Sequence, residues 1–369
     1  MSKPTTVDVP LVAPTLSDTA KQRVRAVLDS GDLAAGDVVS QFEQEFADYV
    51  GTDHAVATTN GTTALHAALA GLGIGEGDTV VTTPFSFVAT ANAIRLAGAE
   101  PVFADVNEET ANIDPVAVER VIAERDGDVD AIMPVHLYGC PAKMAHLRDL
   151  AAHHDIALIE DAAQAHGARY DGAHVGSIGD VGCFSFYPTK NMTTGEGGMV
   201  VTDDADVARR MRSFINHGRA PDDGSRHERV GHNFRMPNIA AAIGRTQLDR
   251  LPTLVSARRE HAAVLTEALA DTDIATPVEP EGTRHSYHQY TVRTAERAAL
   301  RRGLEEFGIG TGVYYPTPIH RQPAYDDHPA SAPVAERLSE QVLSLPVHPH
   351  LSSGELSAVT TAIDYVTPV

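Results

Sequence analysis

Residues 179–203, GDVGCFSFYPTKNMTTGEGGMVVTD, join two apolar runs through a loop holding Lys190 and the glycines Gly195, Gly197 and Gly198. A lysine beside glycines is ordinarily a solvated loop residue. Lys190 stands apart because the chain has only four lysines (Lys3, Lys21, Lys143 and Lys190) against 25 arginines. It also follows the end of a strand-like run, where open α/β sheets collect ligands. A Schiff-base lysine must be amine-like and partly desolvated, which an arginine cannot be. In IALIEDAAQAHGA, residues 156–168, Asp161 closes an apolar run and Gln164 follows three residues later. Asp161 reads equally as a helix N-cap or as the carboxylate that keeps a pyridine nitrogen protonated, so that the ring is an electron sink. On the second reading Gln164 reaches the ring's phenolic oxygen. Asn60-Gly61-Thr62-Thr63 opens an apolar helical pattern. Its free N–H groups and positive dipole end suit a phosphate, although a Thr-capped helix would read the same way. In TPFSFVATANAI, residues 83–94, Phe85 or Phe87 could stack on a flat ring or fill core.

The elements that must position these residues alternate. The spacing of Ala64, Leu65, Ala68, Leu69 and Leu72 predicts a helix over Thr62–Leu72, stopped at Gly73. Strand-like runs fall at Thr79–Thr83, Pro101–Val106, Ala131–His136, Ile156–Glu160, Val181–Phe186 and Gly198–Thr202. Several are apolar without alternation, as strands covered on both faces are. Strands separated by helices predict an α/β fold with a mostly parallel sheet. A long helical stretch at about 205–270 leads to a new βα pattern after about 285: HQYTVRT, ERAALRRGLEEFGIG, TGVYY. A small C-terminal domain is expected there. The glycines at 71, 73, 75 and 77 follow a helix and precede a strand, the reverse of a dinucleotide fingerprint, and read as a turn.

Composition narrows the class. With 369 residues, 43% hydrophobic and 21% charged, the chain is globular in type. Its net charge of −21 argues against nucleic acid and anionic membrane as partners. Excess acid with little lysine resembles proteins of extreme halophiles, although a GC-rich genome with a merely acidic proteome would read the same way. Cys140 and Cys183 stand far apart with no metal spacing, which fits a reducing cytoplasm, and no metal site is expected. MSKPTTVDVPLVAPTL has no continuous apolar stretch of the signal-peptide kind, and no run approaches a membrane span. The expectation is an intracellular, cytoplasmic protein.

Taken in order, NGTTALHAAL, PFSFVATANAI, HLYG, EDAAQAHGA, SFYPTKNMTTGEGG and GHNFRMPNIAAAIGRTQL resemble the DegT/DnrJ/EryC1/StrS family of sugar aminotransferases, from about residue 10 to the C-terminus. That resemblance implies a pyridoxal 5'-phosphate (PLP) dependent transferase of fold type I. It would have a large domain at residues 1–250, including an N-terminal arm, and a small α+β domain at 251–369. It implies Lys190 as the Schiff-base lysine, Asp161 as the partner of the pyridine nitrogen and Gln164 as the partner of O3'. Gly61, Thr62 and Ser185 become phosphate ligands. Phe87, directly before Val-Ala-Thr, becomes the stacking aromatic in preference to Phe85. Asn233 matches an asparagine that reaches the neighbouring subunit's cofactor phosphate, so a homodimer with shared sites is implied. Relatives with histidine at the position of Lys190 catalyse dehydration; lysine implies transamination.

The implied reaction moves an amino group from an amino acid, glutamate by family habit, to a nucleotide-linked ketosugar for aminosugar or glycan biosynthesis. TTGEGG after Lys190 points by analogy to C4 of the sugar rather than C3. His136, Glu196, Arg235, Tyr315 and His320 are substrate candidates, with Tyr314 beside them; packing or surface roles compete for each. His153-His154 reads as an exposed helix end. The competing readings are a non-catalytic or regulatory homologue that binds cofactor or nucleotide sugar, a C3-specific aminotransferase, and a nicotinamide dehydrogenase, which the absent fingerprint disfavours.

Overall fold

The computed structural model describes residues 7–220 and 224–367. The first six residues of the expected N-terminal arm, Lys3 among them, lie outside the described residues. Seven strands form the main sheet: β1 (His54–Thr58), β2 (Thr79–Thr82), β3 (Glu100–Phe103), β4 (Ala131–Met133), β5 (Ala157–Asp161), β8 (Val181–Ser185) and β9 (Gly198–Thr202). Their order is β1-β9-β8-β5-β4-β2-β3. Only β9 runs against the others, since both of its pairings are antiparallel. Between β5 and β8 a short hairpin, β6 (Arg169–Tyr170) with β7 (Ala173–His174), is joined by β10 (Thr283–Arg284). The C-terminal part carries β11 (Tyr290–Arg293) paired antiparallel with β12 (Val342–Leu345).

Both faces of the sheet are covered, which is why its strands read as unbroken apolar runs. On one face Phe184, Phe186, Met199 and Val201 meet Phe42 and Phe46 of the helix Asp37–Val50, together with Ala240, Ala241 and Leu248 of the helix Asn238–Ala268. On the other, the alternate residues Val181, Cys183 and Val200 meet the helices Gly61–Leu72 and Ala205–Ile215. Phe46 is fully buried against Phe184 and Phe186. Truncating such a ring to alanine typically costs about 3–5 kcal/mol. A separate core joins Val292, Leu343 and Leu345 to the helices Arg297–Glu306 and Ser353–Val366.

Two expectations change in detail. TGVYY is not a strand: β12 already pairs with β11, and its free edge meets this segment at a single bridge, Gly312 to Ser344. Residues 313–315 are left to form a wall of the cleft described below. The helix Asn238–Ala268 is continuous across residue 250, despite Pro252, so a division there falls inside one element. Among the described residues no helix is long and apolar enough to cross a membrane.

Candidate active site

The C-terminal ends of the parallel strands open onto a cleft of about 930 Å³. Each wall comes from the segment that follows a strand. After β1, Asn60 caps the helix Gly61–Leu72. Its Oδ1 accepts from Thr63 N at 2.9 Å, while Thr63 Oγ1 accepts from Asn60 N at 3.1 Å. Gly61 and Thr62 then present the helix's first turn to the cleft beside Ser185 at the end of β8. Glycine is required there: a Cβ on Gly61 would lie 2.7 Å from Ser185 Cβ. A helix N-terminus, a hydroxyl and a backbone without side chain together fit a phosphate dianion.

After β2, the two phenylalanines separate. Phe85 is fully buried in core, whereas Phe87 is 55% exposed and lines the cleft, its ring 6.1 Å from that of Tyr315. One turn on, Thr90 Oγ1 donates to Asp161 Oδ2 at 2.8 Å; Ser86 therefore donates to Thr90 across 3.0 Å. Among the described residues Asp161 Oδ1 receives only the Ala163 N–H, at 3.2 Å. Burial holds this carboxyl above the ordinary aspartate value, with Thr90, Ala163 and Lys190 opposing the rise. A buried carboxylate with donors on one side and open cleft on the other fits a cationic N–H partner. Gln164 is oriented twice: its Oε1 accepts from Tyr138 N at 2.9 Å and its Nε2 donates to Tyr315 Oη at 3.1 Å.

Lys190 hangs in the loop between β8 and β9. Because β8 and β9 are antiparallel neighbours, that loop leaves and re-enters the sheet at one edge. The surrounding walls push the Lys190 amine from 10.5 down to about 8, with Asp161 opposing the shift. Near neutral pH the side chain can thus hold or release a proton, as nucleophilic and acid–base lysines must.

Of the residues singled out in the sequence, Gly61, Thr62, Phe87, Asp161, Gln164, Ser185, Lys190, Glu196, Tyr314 and Tyr315 line this cleft. Four do not. His136 has no exposed surface; its Nε2 pairs with Glu160 Oε2 at 2.9 Å and its Nδ1 accepts from Ala142 N at 3.0 Å. Both nitrogens are used in packing, so the substrate role expected of it is corrected to a structural one. His320 is likewise buried, bound to Glu336 Oε1 at 2.9 Å and set against Phe103, away from the cleft. Asn233 and Arg235 lie outside the wall of this chain's own cleft. His232 and Phe234 stack at 4.5 Å against Phe214, and the alternation of an extended segment sends Asn233 and Arg235 the other way. Arg235 Nη1 donates to Asn216 Oδ1.

Sequence reasoning missed Thr90, Ser86, Tyr187, His288 and Gln289, which also line the cleft. Thr90 had a signal, standing three residues beyond Phe87 at the start of the helix Ala89–Ala97. His288 and Gln289 had none, for they arrive from the C-terminal part through long-range packing.

The chain belongs to the DegT/DnrJ/EryC1/StrS aminotransferase family, whose model matches residues 14–364. It is 42% identical over 345 residues to the dTDP-3-amino-3,4,6-trideoxy-alpha-D-glucose transaminase of Streptomyces venezuelae, covering 92% of this chain and 90% of the relative. It is 40% identical over 355 residues to a protein of Geobacillus stearothermophilus named "Pleiotropic regulatory protein", covering 93% and 94%. The crystal structure of a DegT DnrJ EryC1 StrS aminotransferase from Brucella abortus superposes with a TM-score of 0.92 at 34% identity, covering 95% of this chain and 96% of that one. The fold is that of PLP-dependent aminotransferases, and the chain is a PLP-dependent sugar aminotransferase.

Proposed function

We propose that the protein transfers an amino group from an amino acid, glutamate in the first instance, to a nucleotide-linked ketosugar. The observation that carries this reading is the convergence in one cleft of an amine-like Lys190, an under-bonded Asp161 and the phosphate cradle of Gly61, Thr62 and Ser185. In this reading Gly61, Thr62 and Ser185 hold the cofactor phosphate, and Phe87 covers one ring face. Asp161 keeps a proton on the ring nitrogen, and Gln164 orients the phenolic oxygen. Bound PLP supplies an electron sink for charge developing at the donor's Cα. Lys190 Nζ would take the donor's Cα proton and deliver it to C4' of the cofactor, on the far side of the transferred nitrogen, the proton-transfer role its lowered basicity suits. Phe87, Tyr314 and Tyr315 exclude water from that transfer, and Glu196 borders the sugar. The same residues serve both half-reactions, so the kinetics are ping-pong.

Two observations divide on the position aminated. TTGEGG favours C4, whereas the name of the Streptomyces venezuelae relative favours C3. Incubation with glutamate and either a 4-keto or a 3-keto nucleotide sugar, with NMR of the product, decides. Exclusive use of the 3-keto sugar ends the C4 reading, and use of neither ends the ketosugar reading. The regulatory reading has the Geobacillus name in its favour. A purified protein with visible absorbance that fades on adding glutamate and returns with ketosugar would refute a purely regulatory role.

We also propose a cytoplasmic homodimer in which Asn233 completes the partner's phosphate cradle, because Asn233 is exposed and faces away from its own cleft. Mixing Lys190→Ala with Asn233→Ala chains, each inactive alone, should restore activity. Mixed dimers that exchange chains yet stay inactive, or a fully active monomer, would end this proposal.

A further inference from the structure

Lys190 also lines a second and much smaller cavity of about 20 Å³, which shares no other lining residue with the cleft. That is room for one water-sized body. Lys190, Asn191, Thr193, Gln247, Arg258 and His348 line it, with Pro14 and Thr15 of the N-terminal segment. Arg258, on the helix Asn238–Ala268, is only 5% exposed. Its Nη1 donates to the carbonyls of Tyr287 at 3.2 Å and His288 at 3.3 Å, and its Nε has no partner among the described residues. It makes no ion pair with any described carboxylate. Burial alone lowers the Arg258 guanidinium to about 10, with no carboxylate offsetting it.

His348 is 3% exposed; its ring nitrogens meet no acceptor at full hydrogen-bond geometry among the described residues, the Pro10 backbone being the one group near enough to bond it, and burial with Arg258 and His350 holds the imidazole near 4 and so neutral. Asn191 Nδ2 donates to His166 O and Ser286 O, and its Oδ1 has no partner among the described residues; the other polar side chains named here are committed. Thr193 Oγ1 donates to Phe186 O, Gln247 Nε2 donates to Thr15 O, and Thr15 Oγ1 bonds His350 Nε2. Glu355, the carboxylate whose field reaches His348, is held by Ser352 N and Oγ at 2.7 Å.

A buried cation without a counter-charge costs several kcal/mol, and buried donors are almost always paired. A water molecule would satisfy the donors but leave the charge. We propose that this cavity binds one small monovalent anion of the halide class, with Arg258 as its charge partner and the His348 ring as a hydrogen-bond donor. The site is independent of the substrate assignment above.

Bromide replaces chloride at nearly the same size and scatters anomalously. Crystals of the holoenzyme soaked in sodium bromide should show an anomalous peak in contact with Arg258 and His348. In solution, thermal unfolding in sodium chloride against sodium gluconate at equal ionic strength separates specific binding from screening. Chloride should raise the midpoint by about 2 °C more than gluconate does, saturating in the millimolar range. Arg258→Gln should abolish that difference. If Arg258→Gln fails to fold, the bromide map of the wild-type protein decides alone. An ordered water without anomalous signal, a partner-subunit carboxylate on Arg258, or bromide at surface positions only would each overturn the proposal.

Discussion

Glu160 and Asp161 are consecutive carboxylates at the end of β5, both buried, yet their electrostatics are opposite. Alternation along the strand sends them to opposite faces of the sheet. Glu160 meets a full set of donors: Gly176 N at 2.8 Å, Ile178 N at 2.6 Å, Gly179 N at 2.8 Å and His136 Nε2 at 2.9 Å. Burial would raise its pKa, but His136 and the Gly176 and Gly179 N–H groups together pull it below the ordinary glutamate value. Asp161 has only Thr90 and Ala163, and burial wins. The lesson concerns what a buried charge is for. The saturated carboxylate ties the loop at 176–179 to the sheet and has no capacity left. The unsaturated one carries an electrostatic cost that a cationic ligand can relieve, which is how binding energy becomes chemistry.

The contrast can be broken first on the cleft side. Lys190→Arg should reduce turnover by more than about 10⁴-fold while leaving circular dichroism unchanged, because arginine keeps a charge but cannot shuttle a proton near neutral pH. Retained transamination would remove Lys190 from the chemistry. Asp161→Asn should lower kcat by about 10²- to 10³-fold, the usual loss when one oriented electrostatic partner is removed. Glu160→Gln should instead leave kcat of the folded protein within about twofold and cost about 3 kcal/mol of stability in urea unfolding, as breaking a buried charge network does. If the two variants showed the same balance of lost activity and lost stability, the division between them would collapse.

A pH series sharpens the same comparison. Glu160, lowered from 4.5, contributes stability that is present above 4.5 and lost as pH falls through its folded value. Asp161, raised from 3.8, contributes stability that is present below 3.8 and lost as pH rises through its folded value. Cofactor-free Asp161→Asn protein should therefore equal or exceed wild-type stability at pH 7, by up to about 1 kcal/mol, while Glu160→Gln falls below it. The smallest effect concerns Lys190 itself. In cofactor-free protein its reactivity towards an amine reagent should rise with a midpoint near pH 8. In Asp161→Asn that midpoint should move lower, since the Asp161 charge favours the ammonium; an unmoved midpoint would mean that Asp161 does not act on Lys190.

Much of this frame was legible in the sequence. Six of the seven strands of the main sheet, though not their order, are legible as apolar runs such as Val181–Phe186, and Asp161 and Lys190 each fall at the end of such a run. Phe87 separated from Phe85 because a motif marked it. His136 and His320 failed for a physical reason: a histidine beside a strand end looks the same whether its ring meets substrate or a buried glutamate, and Glu160 and Glu336 lie 24 and 16 residues away. The strand β1 was missed because HAVAT is short and two of its five residues are alanine. Arg258 and His348 were invisible because packing between distant segments, not spacing, brings them to one cavity with Lys190.

The antiparallel pairing of β8 with β9 also bears on the order in which the site takes shape during folding. Closing a short loop costs less chain entropy than closing a long one. The lysine loop is closed by two strands adjacent in sequence, with Ser185 opposite Gly198, whereas the bond from Thr90 to Asp161 spans 71 residues. The lysine loop should accordingly gain protection in pulsed hydrogen exchange before the Ala163 amide that bonds Asp161 does. Simultaneous protection of both would count against this order. The Lys190 hairpin would then form before the bonds that hold Asp161.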